Sequence, residues 1–298
     1  MHLKLFCLLL VSGTAFAATN GPPAITFPRW APSVRAGSVY HFDADIEGDG
    51  PFSVNRYYIE AGLSRMWDFS RMLSFSVGYG QEDYNFNDLA EEPWNNIDSY
   101  SVGLFARWAL NEEWMLFAAP SVRSYVETGA DVADGLGASF FGGVGYRFGE
   151  SLFLGPAFGV FGRIEDDPLV IPILLVNWDI TERLNFSTGG GFAATAGPGL
   201  GFTYELSKHW KLGLLGRYES FRFRLSPGNS QPDGLGEDKS FSLVGSVMYE
   251  FFPGTYVSGI FGSKMGGEMS VSDADDHEIA SFDYGSGLVG GLVLGFRM

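Results

Sequence analysis

Two short acidic segments near opposite ends of the sequence could together activate a water molecule. The segment HFDAD carries Asp43 and Asp45, and the segment DADDHE carries Asp275 two residues before His277. A carboxylate beside a histidine can support it as a general base, and two further acids can orient the attacking water. This hydrolytic chemistry requires that the two segments, far apart in the sequence, meet in the folded chain.

A second set of charged residues could line a conduit for solutes. Its members are arginines and glutamates whose opposed charges would shape a transverse field if they faced one another across a lumen. The same residues could equally form internal ion pairs that fill the interior and stiffen it. The candidate pore-lining residues are Arg56, Glu60, Arg107, Arg123, Glu127, Arg147, Arg163, Arg217, Arg222 and Arg224.

The elements that position these residues are indicated by an alternation of apolar and polar residues, which is the period of a β-strand. In SYSVGLFARWAL the even positions from Tyr100 to Leu110 are apolar, and in KSFSLVGSVMYEFF the odd positions from Phe241 to Phe251 form one largely apolar face. Across the chain, the alternation predicts fourteen strands. They cover residues 33–45, 54–67, 72–84, 98–110, 114–127, 136–148, 152–163, 169–179, 184–193, 199–206, 209–225, 239–251, 255–267 and 280–297.

The connections between the predicted strands alternate between short turns and mostly longer loops. The short turns, such as that in NWDITERLNF, have large aromatic or aliphatic residues on their shoulders, and the long loops, such as SPGNSQPDGLGED, are rich in Gly, Pro and acids. Tryptophan and tyrosine collect where lipid meets water, because they combine an apolar body with a polar group. The predicted interface belt consists of Trp67, Trp108, Trp114, Trp178, Trp210, Tyr256 and Phe296.

The composition excludes several classes of function. The 298 residues carry a formal net charge of −16, and the sequence shows no basic patch that could bind nucleic acid. Glycine (41 residues) and aromatic residues (16%) are abundant, while charged residues (18%) are scarce for a soluble domain. No apolar run after the first residues approaches the roughly 18 residues of a membrane helix. These features indicate an all-β protein, for which we predict neither a cofactor nor a metal site.

The chain divides into three predicted segments. Residues 1–17 are typical of a secretory signal peptide, with Lys4 before an apolar core and small residues at its end. Residues 18–32 form a Pro-rich periplasmic lead-in, and residues 33–298 contain the strands. The single cysteine, Cys7, lies in the signal peptide, so the mature chain is expected to have no disulfide.

Short turns at one end and long loops at the other are typical of a transmembrane β-barrel with its turns in the periplasm. Over essentially its whole mature length, the chain resembles the Gram-negative outer-membrane β-barrel superfamily. The features that carry this resemblance are the signal peptide, the even strand number, the turn-flanking aromatics and the terminal LVLGFRM. The resemblance implies a closed antiparallel barrel of about 14 strands, with about 12 to 16 possible, in the cell outer membrane. Outer-membrane lipid, lipopolysaccharide and the barrel-assembly machinery are the implied partners.

A closed barrel leads to two further expectations. An arginine that faced hydrocarbon at mid-depth would cost about 2–4 kcal/mol, so the candidate arginines are expected to face the lumen.

The first and last strands pair, so Asp43 and Asp45 could meet Asp275 and His277 at the extracellular rim. That arrangement is similar to the one in outer-membrane omptin proteases, although the rest of that family's pattern is absent from this sequence.

The leading functional prediction is a porin-like channel for passive diffusion of small hydrophilic solutes, and not an enzyme. Fourteen strands lie near the width at which barrels hold an aqueous channel, and many inward positions are Gly, Ala or Ser. The alternative is a non-conducting structural or surface-binding barrel whose acidic extracellular loops could bind the divalent cations that bridge lipopolysaccharide. A water-soluble β-sandwich is a third interpretation of the same alternation.

Overall fold

The structure, a computed structural model, describes residues 27–87, 89, 92–188 and 199–298. The predicted signal peptide and most of the predicted lead-in lie outside these residues. The described chain forms fifteen strands and one short 3-10 turn, Val132–Gly135. The strands are β1 (Arg29–Asp45), β2 (Pro51–Met66), β3 (Arg71–Phe86), β4 (Ile97–Ala109), β5 (Trp114–Glu127), β6 (Leu136–Phe148), β7 (Leu152–Arg163), β8 (Asp166–Asp179), β9 (Leu184–Thr188), β10 (Gly199–Glu205), β11 (Trp210–Arg224), β12 (Leu235–Phe252), β13 (Thr255–Ser272), β14 (Glu278–Tyr284) and β15 (Gly287–Arg297). In the part of the chain that the structure describes, no helix is long and apolar enough to cross a membrane.

The strands form one closed antiparallel barrel. Each strand from β1 to β13 pairs with its neighbour in sequence, and β15 joins β13 to β1. The closing ladder runs from the pair Ser33–Arg297 to the pair His41–Val289. Closure removes the free edges of the sheet, which allows backbone groups to be paired inside a lipid bilayer. The predicted fold class, a closed antiparallel transmembrane β-barrel, is confirmed.

The strands occupy fourteen positions around the barrel, because β14 and β15 share the last one. The strand β14 pairs with residues 267–272 of β13, and β15 pairs with residues 256–264 of the same strand. The single strand predicted for 280–297 is therefore interrupted between Tyr284 and Gly287. At the other end of the chain, β1 begins at Arg29, so the last residues of the predicted lead-in belong to the barrel.

Apolar side chains cover the outer surface of the barrel. On β4, Val102 and Leu104 point outward and keep 49% and 45% of their surface exposed, while Phe105 and Arg107 point inward and are buried. The same alternation holds along β3, where every second residue from Leu73 to Tyr79 is exposed. An exposed apolar face of this extent is a lipid-facing surface.

Replacing Leu104 with arginine would place a charge on this lipid-facing surface, near the middle of β4. We expect the substitution to lower the free energy of unfolding in liposomes by about 2–4 kcal/mol, because the cation would lose its hydration. Ser76→Arg on the inner face of β3 is the matched control and should cost less than about 1 kcal/mol. Urea denaturation followed by tryptophan fluorescence measures both losses, and equal losses would contradict this assignment of the two faces.

Several inner-face rings lie directly over glycines of a neighbouring strand. A Cβ atom on Gly37 or Gly295 would overlap the ring of Tyr58 or Tyr256, respectively. Rings placed in this way cover the bare backbone of the glycine and hold the register of the two strands. Tyr256 is 8% exposed and faces the lumen, so its predicted place in the outer aromatic belt is wrong. The same arrangement recurs at Phe153 over Gly145, Phe223 over Gly236, Tyr284 over Gly267 and His41 over Gly287.

Candidate functional site

The long-loop end of the barrel, which we infer to be the extracellular end, is filled by apolar side chains. These residues, termed the mouth cluster, are Ala44, Ile46, Phe52, Val54, Tyr84, Phe86, Trp94, Ile97, Phe223, Leu225, Met269, Val271 and Tyr284. Trp94 comes from the loop between β3 and β4 and is fully buried. Its ring centroid lies 5.0 Å from that of Phe223 and 5.5 Å from that of Tyr84. A loop therefore supplies the ring that packs into the barrel mouth, a role that the sequence analysis did not assign.

Glu127 ties three elements together beside the mouth cluster. Its carboxylate accepts hydrogen bonds from the backbone N–H groups of Asn95 and Ser226, each at 2.8 Å, and from Nδ2 of Asn229 at 3.1 Å. These donors belong to the loop between β3 and β4 and to the loop between β11 and β12. Glu127, predicted to line the pore, instead anchors the two loops that cover the mouth.

The upper end of β11 leans across the barrel. Its last residue, Arg224, forms a parallel bridge to Val126 of β5. The two strands are six positions apart around the barrel, so this contact narrows the mouth.

Below the mouth cluster, a buried ionic network crosses the lumen. Arg56 of β2 donates through Nε to Glu82 of β3 at 2.8 Å and through Nη1 to Glu219 of β11 at 3.1 Å. The second bond joins strands on different sides of the barrel. Arg56, predicted to face the lumen, thus forms an ion pair that spans it.

Lys264 and Asp238 complete this network, which we term the lumen network. Lys264 Nζ lies 3.9 Å from Glu219 and 3.6 Å from Asp238. Asp238 also accepts hydrogen bonds from the hydroxyls of Tyr84 at 3.0 Å and Tyr284 at 2.6 Å. Neither residue was predicted to line the lumen. The predicted strand begins at residue 239, although the inward face that starts at Ser240 continues one step further to Asp238.

The short-turn end of the lumen is lined by a second apolar group. The residues of this periplasmic cluster are Ala31, Met66, Met72, Phe105, Met115, Phe117, Phe153, Ala157 and Leu175. Arg107 is buried at this end, where its Nη2 donates to the carbonyl oxygen of Phe69 at 2.6 Å. Arg147, on β6, pairs with Phe153 of the cluster in the β6–β7 ladder. Two predicted pore-lining arginines therefore lie at the periplasmic end of the lumen.

The outer surface at the short-turn end carries the predicted aromatic belt. Five tryptophans and Phe296 lie there with exposed side chains: Trp67, Trp108, Trp114, Trp178 and Trp210. Trp67 and Trp108 are 5.8 Å apart between ring centroids, and Trp210 lies 4.8 Å from Tyr249. Trp67 lies in the turn after β2 and Trp108 on β4, whereas Trp210 and Tyr249 lie on the adjacent strands β11 and β12. Their role as anchors at the membrane interface stays a prediction.

No protein-family model matches the chain, and no curated protein matches its sequence. Weak similarities to solved structures are present. An outer membrane channel from Pseudomonas putida F1 is 10% identical and covers 95% of this chain and 100% of its own, with a TM-score of 0.48. A FadL homologue from Pseudomonas aeruginosa is 10% identical, and the alignment covers 91% of this chain and 90% of the homologue, with a TM-score of 0.47. LpxR from Salmonella typhimurium is 10% identical, and the alignment covers 88% of this chain and 99% of LpxR, with a TM-score of 0.37.

These scores are too low for an argument from similarity, so the classification rests on the closed barrel and its apolar outer surface. The architecture is that of an outer-membrane β-barrel. For such a barrel, the remaining predicted lining residues can be placed. Glu60, Arg123 and Arg217 lie on inner faces of β2, β5 and β11, and Arg163 ends β7, where it pairs with Asp166.

Two predicted pore-lining arginines, Arg222 and Arg224, point away from the lumen. Arg222 pairs with Asp276 at 2.5 Å and Arg224 pairs with Glu165 at 2.6 Å, and both acids belong to extracellular loops. The two arginines alternate along β11 with Phe223, which belongs to the mouth cluster, so they lie on the opposite face of the strand. Their predicted place in the pore is wrong, because β11 continues beyond the lipid and its outer face there contacts loops.

The two candidate hydrolytic segments are not brought together. The end of β1 lies beside the break between β14 and β15, where the carbonyl oxygen of Asp45 accepts a hydrogen bond from the backbone N–H of Gly285 at 2.9 Å. His277 lies beyond the other end of β14, about 25 Å away along the strand. Its Nδ1 is instead 3.4 Å from Oδ2 of Asp273.

Asp273 acts as the centre of a tight turn. The backbone N–H groups of His277 and Asp275 donate to its Oδ1 at 2.9 Å and 3.0 Å. These bonds hold the pKa of the Asp273 carboxyl below its ordinary value. The acid beside His277 is therefore Asp273 and not the predicted Asp275, and its Oδ1 is occupied by two backbone donors of the turn.

Proposed function

We propose that this protein is an outer-membrane channel for small organic solutes that carry an apolar part, with a lumen that is closed at rest. The observation that carries the proposal is the presence of apolar clusters at both ends of the lumen, the mouth cluster and the periplasmic cluster. A solute that crosses must pass apolar side chains at each end. This route favours a molecule that can leave part of its water shell at low cost.

Small side chains leave room between the two clusters. On the inner faces of β3, β4 and β5, part of the surface stays accessible at Ser76, Gly78, Ser101, Gly103 and Ser121. The periplasmic cluster contains three methionines. Methionine side chains are flexible and fill irregular spaces, so this cluster can rearrange around a passing solute.

The sequence predicts a porin for small hydrophilic solutes, and the middle of the lumen is as polar as that prediction requires. Free diffusion of hydrated solutes also needs a continuous polar path through the barrel. The mouth cluster and the periplasmic cluster interrupt such a path among the described residues. We therefore favour solutes with an apolar part over sugars and simple ions.

Two neutral glycosides test this proposal, because they share a sugar and differ only in the attached group. We expect phenyl glucoside to enter proteoliposomes faster than methyl glucoside, although it is the larger molecule. Uptake is measured against protein-free liposomes of the same lipid. A hydrophilic pore that sorts by size would give the reverse order, and that result would replace this proposal with the porin prediction.

A non-conducting barrel is the second candidate. The lumen network and the carboxylate of Glu127 fix the interior and the mouth in one arrangement, which a structural barrel would also use. In that case neither glycoside would enter faster than it enters protein-free liposomes. That outcome would exclude the channel proposal and the porin prediction together.

We also propose the partners that an outer-membrane barrel needs. Outer-membrane lipid contacts the exposed apolar face, and lipopolysaccharide meets the acidic extracellular loops through bridging cations. The barrel-assembly machinery would meet the last strand, β15, on which Phe296 points outward.

A further inference from the structure

Three arginines from separate parts of the sheet point into the middle of the lumen. Arg35 lies on β1, Arg123 on β5 and Arg217 on β11. Around the barrel they are four, six and four strand positions apart, so they are spread over its whole circumference. Arg217 nevertheless interacts electrostatically with Arg35 and Arg123, and more strongly with the carboxylate of Glu219. We term these three residues the arginine ring; the sequence analysis had not singled out Arg35.

The carboxylate of Glu60 lies in the same row of the sheet as two members of the ring. Glu60 lies directly opposite Arg35 in the β1–β2 ladder, with Oε1 3.6 Å from Nη2. Arg123 lies three strands further along the same row of ladder partners, and Glu60 attracts it electrostatically. The ladder partners that lie between them, Gly78 and Ser101, have small side chains. The three arginines outnumber the two nearby carboxylates, Glu60 and Glu219, and Glu219 also pairs with Arg56. Positive charge therefore remains in an interior where charges are only weakly screened, and such a zone attracts an anion.

Two donors in this zone lack an acceptor among the described residues. They are Nε of Arg35 and the hydroxyl of Tyr58. Tyr58 is 9% exposed, and its ring centroid lies 5.6 Å from Cζ of Arg35. A buried donor without an acceptor is costly, so a ligand that brings acceptor oxygens to this point would be stabilised.

Apolar surface borders the same zone. Tyr58 packs against Met248, Tyr256 and Val293 in a small buried cluster. A ligand that carries an anionic group on an apolar body would meet both the arginine ring and this cluster. A simple inorganic anion would use only the first of these.

We propose that the arginine ring and Tyr58 bind the carboxylate of a small aromatic or aliphatic carboxylic acid. The planar guanidinium groups present paired N–H donors that match the two oxygens of a carboxylate. The tyrosine hydroxyl supplies a further donor, and the neighbouring rings contact the apolar body. As a statement about the transported solute, this inference rests on the proposed function. The binding itself can be measured without transport.

Benzoate and benzamide test the site, because they have nearly the same shape and differ in charge. Titration calorimetry of the full-length mature barrel in a non-ionic detergent at low salt should show benzoate binding at least tenfold more tightly than benzamide. Arg35→Gln and Arg123→Gln should each weaken benzoate binding about ten- to a hundredfold, which is the range for hydrogen bonds to a charged group. Binding of benzamide should change little.

Arg183→Gln is the matched control, because it removes the same charge from an exposed periplasmic turn. It should keep the full preference for benzoate. Equal binding of the two ligands by the unmodified protein, or equal losses in Arg35→Gln and Arg183→Gln, would overturn the proposal. The comparison of benzoate with benzamide uses the unmodified protein, so it does not depend on whether any variant folds. Arg35→Lys, which keeps the charge but not the paired donors, should lie between the parent and Arg35→Gln.

The two proposals fail in different ways. If neither glycoside crosses the membrane while benzoate keeps its preference, the channel is excluded and the anion site stands. If phenyl glucoside crosses while benzoate and benzamide bind equally, the channel stands and the anion site is excluded.

Discussion

Replacing Lys264 with methionine is expected to lower the free energy of unfolding by about 3–5 kcal/mol, because it leaves a buried carboxylate without its cation. The Asp238 side chain is 1% exposed and lies 3.6 Å from Lys264 Nζ. Within the described residues, no other cation forms an ion pair with it. Methionine has nearly the shape of the lysine stem, so lost packing contributes little. Urea denaturation of the barrel in liposomes measures the loss.

A double variant separates the effect of charge from that of packing. Lys264→Met combined with Asp238→Asn removes both charges and should recover most of the stability, since neutral replacements of a buried ion pair are often tolerated. Lys239→Met is the matched single control, because the Lys239 side chain is 31% exposed and such pairs contribute less than about 1 kcal/mol. If Lys264→Met costs no more than Lys239→Met, the lumen network does not stabilise the barrel.

The barrel could be predicted because each strand depends mainly on its neighbours in sequence. A period of two determines which residues face lipid, and tight turns determine which strands pair. The bounds of β5, β6 and β7 agree with the predicted ranges 114–127, 136–148 and 152–163. The break after β14 was missed because Gly285 and Ser286 continue the small-residue pattern of the last strand. Both β14 and β15 pair with β13, so this interruption leaves no mark on the alternation.

The lumen could be predicted only in part, because its contacts cross the barrel. Alternation shows that Arg56 faces inward, but it does not show that Glu219 is its partner from the far side. The error at Arg222 was avoidable. Arg217 and Arg222 are an odd number of residues apart, so a regular strand cannot direct both to the same face. For Tyr256, proximity to a turn suggested the lipid interface, whereas Gly295 on the next strand gave its ring a place inside.

The mouth was missed for a different reason. The loop NDLAEEPWNN is acidic and contains a proline, which is typical of a solvated connection. Its tryptophan was the feature that could have indicated otherwise, because a large ring in a polar loop needs a surface to cover it. The fully buried Trp94 shows that this part of the loop, residues 92–96, packs against the barrel.

Replacing Trp94 with alanine is expected to lower the free energy of unfolding by about 3–5 kcal/mol and to open the mouth of the channel. The substitution removes the ring that packs against Phe223 and Tyr84, and water can then enter the space. Because about 1.4 kcal/mol changes an equilibrium tenfold, the rate of phenyl glucoside entry should rise at least tenfold if the mouth cluster limits it. Proteoliposome uptake and single-channel recording in planar bilayers measure the change.

Trp114→Ala is the matched control, because Trp114 lies on the outer surface with 40% of its side chain exposed. It should leave glycoside entry unchanged. A folded Trp94→Ala barrel with the parent's rate of entry would show that the mouth cluster is not the barrier. The rate would then be set deeper in the lumen. In that case a second substitution in the periplasmic cluster, Phe117→Ala, should raise it, because Phe117 is buried at the opposite end of the same path.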